Sequence, residues 1–156
     1  MSPTRPSQVL HATAVVIDGA AVLIVGLPGS GKSDLGLRLI GEGARLLADD
    51  RTRIEAAEGR LTAACPAAIA GLVEVRGLGV VRLGGEALPA DETVPVALVV
   101  ELVPAPGAIE RLPDPETREL LGIPVPAVRV YGFAASATRV VAMALDVARG
   151  RRTRVD

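Results

Sequence analysis

The chain has 156 residues, 49% of them hydrophobic but only 1% aromatic, with 17 Lys+Arg against 18 Asp+Glu and a formal net charge of -1. This length suits one domain with a core of Val, Leu, Ile and Ala, and the balanced charge excludes a protein drawn to nucleic acid or anionic membrane by its overall field. No apolar run approaches the roughly 18 residues of a membrane span, the first residues carry no signal-peptide pattern, and the single cysteine, Cys65, excludes an internal disulfide and fits the cytoplasm.

Residues 1–10 read as a flexible tail ahead of a single domain over 11–156. Ala12 to Ile17 is apolar and β-branched. Asp18-Gly19 then separates it from the equally apolar Ala20 to Val25, which is the signal of a tight hairpin with two antiparallel strands. Directly after this pair, Gly26, Leu27, Pro28, Gly29, Ser30, Gly31, Lys32 and Ser33 fit G-x-x-x-x-G-K-[ST]. In such a loop the backbone N–H groups wrap phosphate oxygens, the lysine reaches the β/γ-phosphates and the serine hydroxyl a magnesium ion, so a phosphate chain and a magnesium ion are the expected ligands. Lys32 is the only lysine in the chain, every other basic side chain bar His11 being arginine. A compact ammonium is thus retained where a planar guanidinium suits a phosphate nest poorly.

A helix is expected from Asp34 to about Glu42, stopped by Gly41 and Gly43. Arg45 to Ala48 reads as a short strand ending in Asp49-Asp50. Arg51 to Ala56 and Arg60 to Ala64 read as a second hairpin about Glu58-Gly59, and Leu72 to Leu83 as a strand interrupted by Gly77-Leu78-Gly79. Val94 to Val103 is a long core strand, 104–115 a proline-rich loop, 114–121 a helical turn, Val125 to Tyr131 a late strand, and 135–149 a closing amphipathic helix. The arginines at 149, 151, 152 and 154 read as a solvated terminus.

Phosphoryl transfer asks for a phosphate cradle, a metal and a carboxylate beside the attacking hydroxyl. Asp49 and Asp50 at a strand end supply carboxylates, with Glu101 a rival on pattern alone. His11, the only histidine, opens the first strand, which a hairpin would place near the phosphate loop.

His11, Gly26 to Ser33, Leu46-Leu47-Ala48-Asp49-Asp50-Arg51 and Val73-Glu74-Val75-Arg76-Gly77-Leu78-Gly79 together resemble the catalytic domain of HPr kinase/phosphorylase, from about His11 to Arg111 and weakly to the last helix. The resemblance implies an α/β phosphate-loop kinase domain of the phosphoenolpyruvate-carboxykinase-like type, with a mixed or antiparallel sheet, a helix after the loop and a C-terminal helix. It implies an ATP- and magnesium-dependent protein-serine kinase acting on an HPr-like phosphocarrier of the phosphotransferase system, assembled as a homo-hexamer. By resemblance, His11, Lys32, Asp49, Asp50 and Arg111 fall on catalytic positions, with Asp50 as proton acceptor, and Ser33 and Glu74 on metal ligands. The sequence departs from the family in three ways: Asp34 stands where glutamate is common, 130–136 lacks the Gly-Arg-Asn signature of the dephosphorylation loop, and the N-terminal domain of longer members has no counterpart. The missing Gly-Arg-Asn signature argues against the reverse, phosphorylase direction, and the chain resembles a short form limited to the catalytic domain. Two other readings stay open: a small-molecule kinase using the same loop, and a nucleotide-binding regulator without transfer activity.

Overall fold

The computed structural model describes residues 5–155. Its eleven strands and two α-helices, in chain order, are β1 (Ser7–Leu10), β2 (Thr13–Ile17), β3 (Ala20–Val25), α1 (Lys32–Gly41), β4 (Arg45–Ala48), β5 (Thr52–Ala57), β6 (Arg60–Ala64), β7 (Leu72–Val75), β8 (Gly79–Arg82), β9 (Val94–Leu102), β10 (Glu116–Leu120), β11 (Ile123–Val130) and α2 (Ala137–Ala148). Nine strands form one mixed sheet in the order β1-β5-β6-β9-β3-β2-β4, with β11 joining β9 in parallel and β10 joining β11, while β7 and β8 form a separate two-stranded sheet.

Strand β3 is a continuous apolar run because both of its faces are covered. On one face Val22 and Ile24 meet Leu98 and Val100 of β9, and α1 and α2 close over them with Leu35, Leu39, Ala137, Val141 and Leu145. On the other, Leu23 and Val99 are covered by the sheet curling back on itself, which brings in Ile54 of β5, Leu61 and Ala63 of β6, and Leu47.

The hairpin β2–β3 forms as expected, with Ile17 opposite Ala20 and positive φ at Asp18 and Gly19, and β5–β6 turns in the same way at Glu58-Gly59. Both are two-residue turns with positive φ at each central residue, whose twist matches that of the strands they join. Three expectations are corrected. Part of the expected tail is structured, since Ser7–Leu10 pairs antiparallel with β5; residues 1–4 of that tail lie outside the described residues. Leu72 to Leu83 is a hairpin, β7–β8, rather than one interrupted strand, because Gly77 and Gly79 take φ of 86 and 118 and turn the chain. The expected helical turn over 114–121 is instead strand β10, joined to β11 by a two-residue turn at Leu121-Gly122 with φ of 50 and 80. Its charged sequence hides the alternation of an edge strand, and leucine in a left-handed turn position gives no hairpin signal. No described helix is long and apolar enough to cross a membrane.

Candidate active site

Strands β3, β9 and β11 pair in parallel, and β4 runs the same way because it is antiparallel to β2, which is antiparallel to β3. Their carboxyl ends share one edge of the sheet, where ligands gather in open α/β folds. From that edge β3 sends out the 26–33 loop, β4 sends out Asp49 and Asp50, and β11 sends out the 131–136 loop. Thr13 opens β2 there, opposite Ile24.

The 26–33 loop turns on Gly29 and Gly31, with φ of 82 and 99, and delivers Lys32 and Ser33 into the first turn of α1. No side chain caps that helix, so its leading N–H groups are left for a ligand or water. Lys32 Nζ donates to Gly26 O at 3.0 Å and Leu27 O at 3.4 Å, which folds the ammonium over the loop and leaves its third proton uncommitted. Ser30 Oγ is buried without a partner among the described residues, and a Cβ on Gly26 would come within 2.5 Å of it. An orphaned hydroxyl inside a cradle that only glycine permits fits a loop built for a phosphate chain.

Asp49 is the hub of the acidic side. Its Oδ1 accepts from Thr13 Oγ1 at 2.8 Å and Ser33 Oγ at 2.6 Å, and its Oδ2 accepts from the Glu74 backbone N–H at 2.9 Å. Thr13 Oγ1 in turn accepts the Asp50 backbone N–H at 3.2 Å. Three segments distant in sequence are thereby tied to one carboxylate. Asp50, next door, has φ 67 and an exposed carboxylate with no hydrogen bond or ion pair among the described residues. A left-handed aspartate aims its side chain away from the course of the strand, and the bond from its N–H to Thr13 helps hold that turn.

Lys32, Ser33, Asp49, Asp50 and the backbone of Glu74 are brought together. His11 is exposed two residues before Thr13, at the same edge. The Glu74 carboxylate is exposed and unpaired among the described residues. Arg111 sits exposed on the 103–115 loop, which leaves β9 and returns to β10 at this edge, and makes no hydrogen bond or ion pair among the described residues. No group of three or more His, Cys, Asp or Glu that could hold a metal occurs among the described residues. Magnesium does not require one, because it keeps several waters and takes one or two carboxylates beside substrate phosphates. Glu101, the rival carboxylate, is bound in bidentate fashion by Arg118, with Arg129 at 3.9 Å. That hydrogen bonding raises the Arg118 guanidinium above its ordinary range, and Glu101 is committed to a structural ion cluster.

Sequence reasoning missed two contributors. Thr13 reads as an ordinary strand residue, yet it is 1% exposed and bridges the two aspartates; a hydroxyl amid an otherwise apolar strand was the available signal. Arg38, one turn along from Asp34 and paired with it at 3.0 Å, donates to the carbonyls of Gly132 and Ala134 and so fastens the late loop to α1.

A mixed α/β domain that delivers a glycine-rich loop and a hydrogen-bonded carboxylate hub to one sheet edge defines the class. Within it, the chain belongs to the HPr serine kinase C-terminal domain family, whose profile matches residues 4–153. HPr kinase/phosphorylase from Burkholderia lata and from Burkholderia cenocepacia are each 38% identical to it over 135 residues, 80% of this chain. The chain spans about two fifths of the length of these relatives (40%). A solved structure of the Hpr(Ser) kinase/phosphatase from Coxiella burnetii superposes with a TM-score of 0.78 at 28% identity, covering 92% of this chain and 97% of that one.

Proposed function

We propose that this chain is a cytoplasmic, phosphoenolpyruvate-carboxykinase-like phosphate-loop kinase that transfers the γ-phosphoryl of ATP, with magnesium, to a serine of an HPr-like phosphocarrier. The observation that carries this reading is the division of labour between the adjacent aspartates. Asp49 has both oxygens occupied by Thr13, Ser33 and Glu74 N–H, whereas Asp50 stands beside it uncommitted. ATP and magnesium would supply the transferable phosphoryl group and part of the charge neutralisation. On the protein side, the N–H groups of 29–33 and the α1 terminus hold phosphate oxygens, and Lys32 gives its free proton to the charge that spreads over the transferred group. Ser33, positioned by Asp49, and the Glu74 carboxylate are the groups that would face the metal. Asp50 accepts the proton of the attacking serine hydroxyl at its carboxylate. Because that carboxylate is a weak base against a hydroxyl, the proton moves late, once the bond to the leaving oxygen is largely broken. We assign His11 and Arg111 supporting places at the transferred group, Arg111 entering with the 103–115 loop. The family likeness supports the carrier protein as acceptor, and a homo-hexamer is part of the same proposal.

The test is incubation of the purified protein with labelled ATP, magnesium and HPr, beside HPr lacking its acceptor serine. Label on intact HPr alone is expected; label on a metabolite would instead identify a small-molecule kinase, and label nowhere a nucleotide-binding regulator. Asp50→Asn is expected to bind ATP normally and lose transfer by about 10²-fold. Near-normal turnover in that variant would remove Asp50 as the proton acceptor.

A further inference from the structure

The chain has one tyrosine, one phenylalanine and no tryptophan, and Tyr131 and Phe133 stand two residues apart in the loop that leaves β11 at the site edge. Their rings meet edge to face, with centroids 5.9 Å apart and planes at 73°. Phe133 lies on the glycine-rich loop itself: a Cβ at Gly31 would be 3.0 Å from its Cε1 and Cζ. Gly132 fits equally closely, since a Cβ there would be 3.1 Å from Ser30 O. Arg38 holds the segment in place through the carbonyls of Gly132 and Ala134. Phe133 nevertheless remains 55% exposed. A fixed aromatic ring in a chain that spends so few of them, half open beside a phosphate cradle, calls for an occupant.

Topology says which part of a nucleotide would meet it. At this edge the strands run β10-β11-β9-β3-β2-β4, so the carboxylates after β4 and the aromatics after β11 flank the central loop from opposite sides. Each lies two strand spacings away, roughly 10 Å. A triphosphate on the loop has its transferable end with Asp49 and Asp50, and its nucleoside must leave on the other flank. We propose that Phe133, steadied by Tyr131, is the seat on which the purine base of the nucleotide stacks. This inference rests on the reading that the 26–33 loop holds a triphosphate.

The experiment compares binding of Mg-ATP with binding of Mg-tripolyphosphate, which carries the same phosphates and no base. Phe133→Ala is expected to weaken ATP about tenfold, within the range of base–aromatic stacking, and to leave tripolyphosphate within about twofold of the starting protein. Phe133→Leu, which keeps an apolar side chain on Gly31, is expected to follow Phe133→Ala, and Phe133→Trp to restore ATP affinity. The same Phe133→Trp protein carries the chain's sole tryptophan, whose emission is expected to be quenched by ATP and unchanged by tripolyphosphate. Unaltered ATP affinity in Phe133→Ala, or equal weakening of both ligands, would overturn the proposal, the second result showing that the ring only braces the loop. Quenching by both ligands alike, or by neither, would overturn it too. If the unsubstituted protein binds neither ligand, the phosphate-loop reading fails and takes this inference with it. Unsubstituted protein that binds both, with Phe133→Ala binding both just as well, removes the base seat and leaves that reading standing.

Discussion

Replacing Thr13 by valine keeps the shape of a side chain that is almost wholly buried and removes only its hydroxyl. That hydroxyl donates to the Asp49 carboxylate at 2.8 Å and accepts the Asp50 N–H at 3.2 Å. A hydrogen bond to a charged group contributes about 1.5–3 kcal/mol, and the Asp50 N–H would also lose its partner, so a loss of about 2–3 kcal/mol is expected. At about 2–4 °C per kcal/mol for a chain of this size, the Tm should fall by roughly 4–12 °C. Function should suffer separately, because the bond to Thr13 helps hold Asp50 in its left-handed conformation. Misplacing a reacting group by an ångström costs on the order of 10²-fold, so kcat for the proposed phosphoryl transfer should drop about 10–100-fold. Thermal unfolding and steady-state kinetics measure the two effects on one preparation. Thr13→Ser is the control, since it keeps both hydrogen bonds and gives up a methyl. It should lose about 1 kcal/mol of stability and keep its kcat. A Thr13→Val protein with unchanged kcat, or a Thr13→Ser protein as impaired as Thr13→Val, would refute the account of Thr13 as the tether between the aspartates.

Other outcomes follow from the same packing. Gly36 in α1 faces Thr13 so closely that a Cβ would lie 2.9 Å from Thr13 Cγ2. Gly36→Ala gains about 1 kcal/mol of helix propensity but overpacks a pinned side chain at about 1–3 kcal/mol, so urea unfolding should show no net gain and kcat should fall. Combined with Thr13→Ser, which removes the obstructing methyl, the same alanine should become stabilising; additive effects in that cycle would contradict the contact. Burial, aided by the charge of Asp91, pushes the Cys65 thiol from its ordinary value of 9.0 up to about 11. A raised folded-state pKa means this contribution is fully present below pH 9 and is lost as pH climbs from about 9 to 11. Cys65→Ala should therefore show a flatter stability curve across that window, and an identical slope in both proteins would count against the burial argument.

The elements legible in the sequence are those specified by neighbouring residues. The loop Gly26 to Ser33, the turns at Asp18-Gly19 and Glu58-Gly59, the long strand β9 and the helix α2 each follow from steric rules or a periodicity acting within a few residues. The acidic strand end at Asp49-Asp50 was legible for the same reason, as a short apolar run that stops in two charges. What was not legible lies in the neighbours' partners. Strand β10 reads as polar because it is an edge strand whose Glu116 and Arg118 answer Glu101 on β9 and Arg129 on β11.

Sequence alone determined that a glycine-rich loop joins a hairpin strand to a helix, and which carboxylates were candidates to meet it. Only the tertiary structure decided that Asp49 is consumed in bonding while Asp50 is left open, that Thr13 links them, and that Phe133 rests on Gly31. Those relations join residues 16 to 102 positions apart in the chain. No local pattern records them, because they arise only when the parallel strands deliver their ends to a common edge.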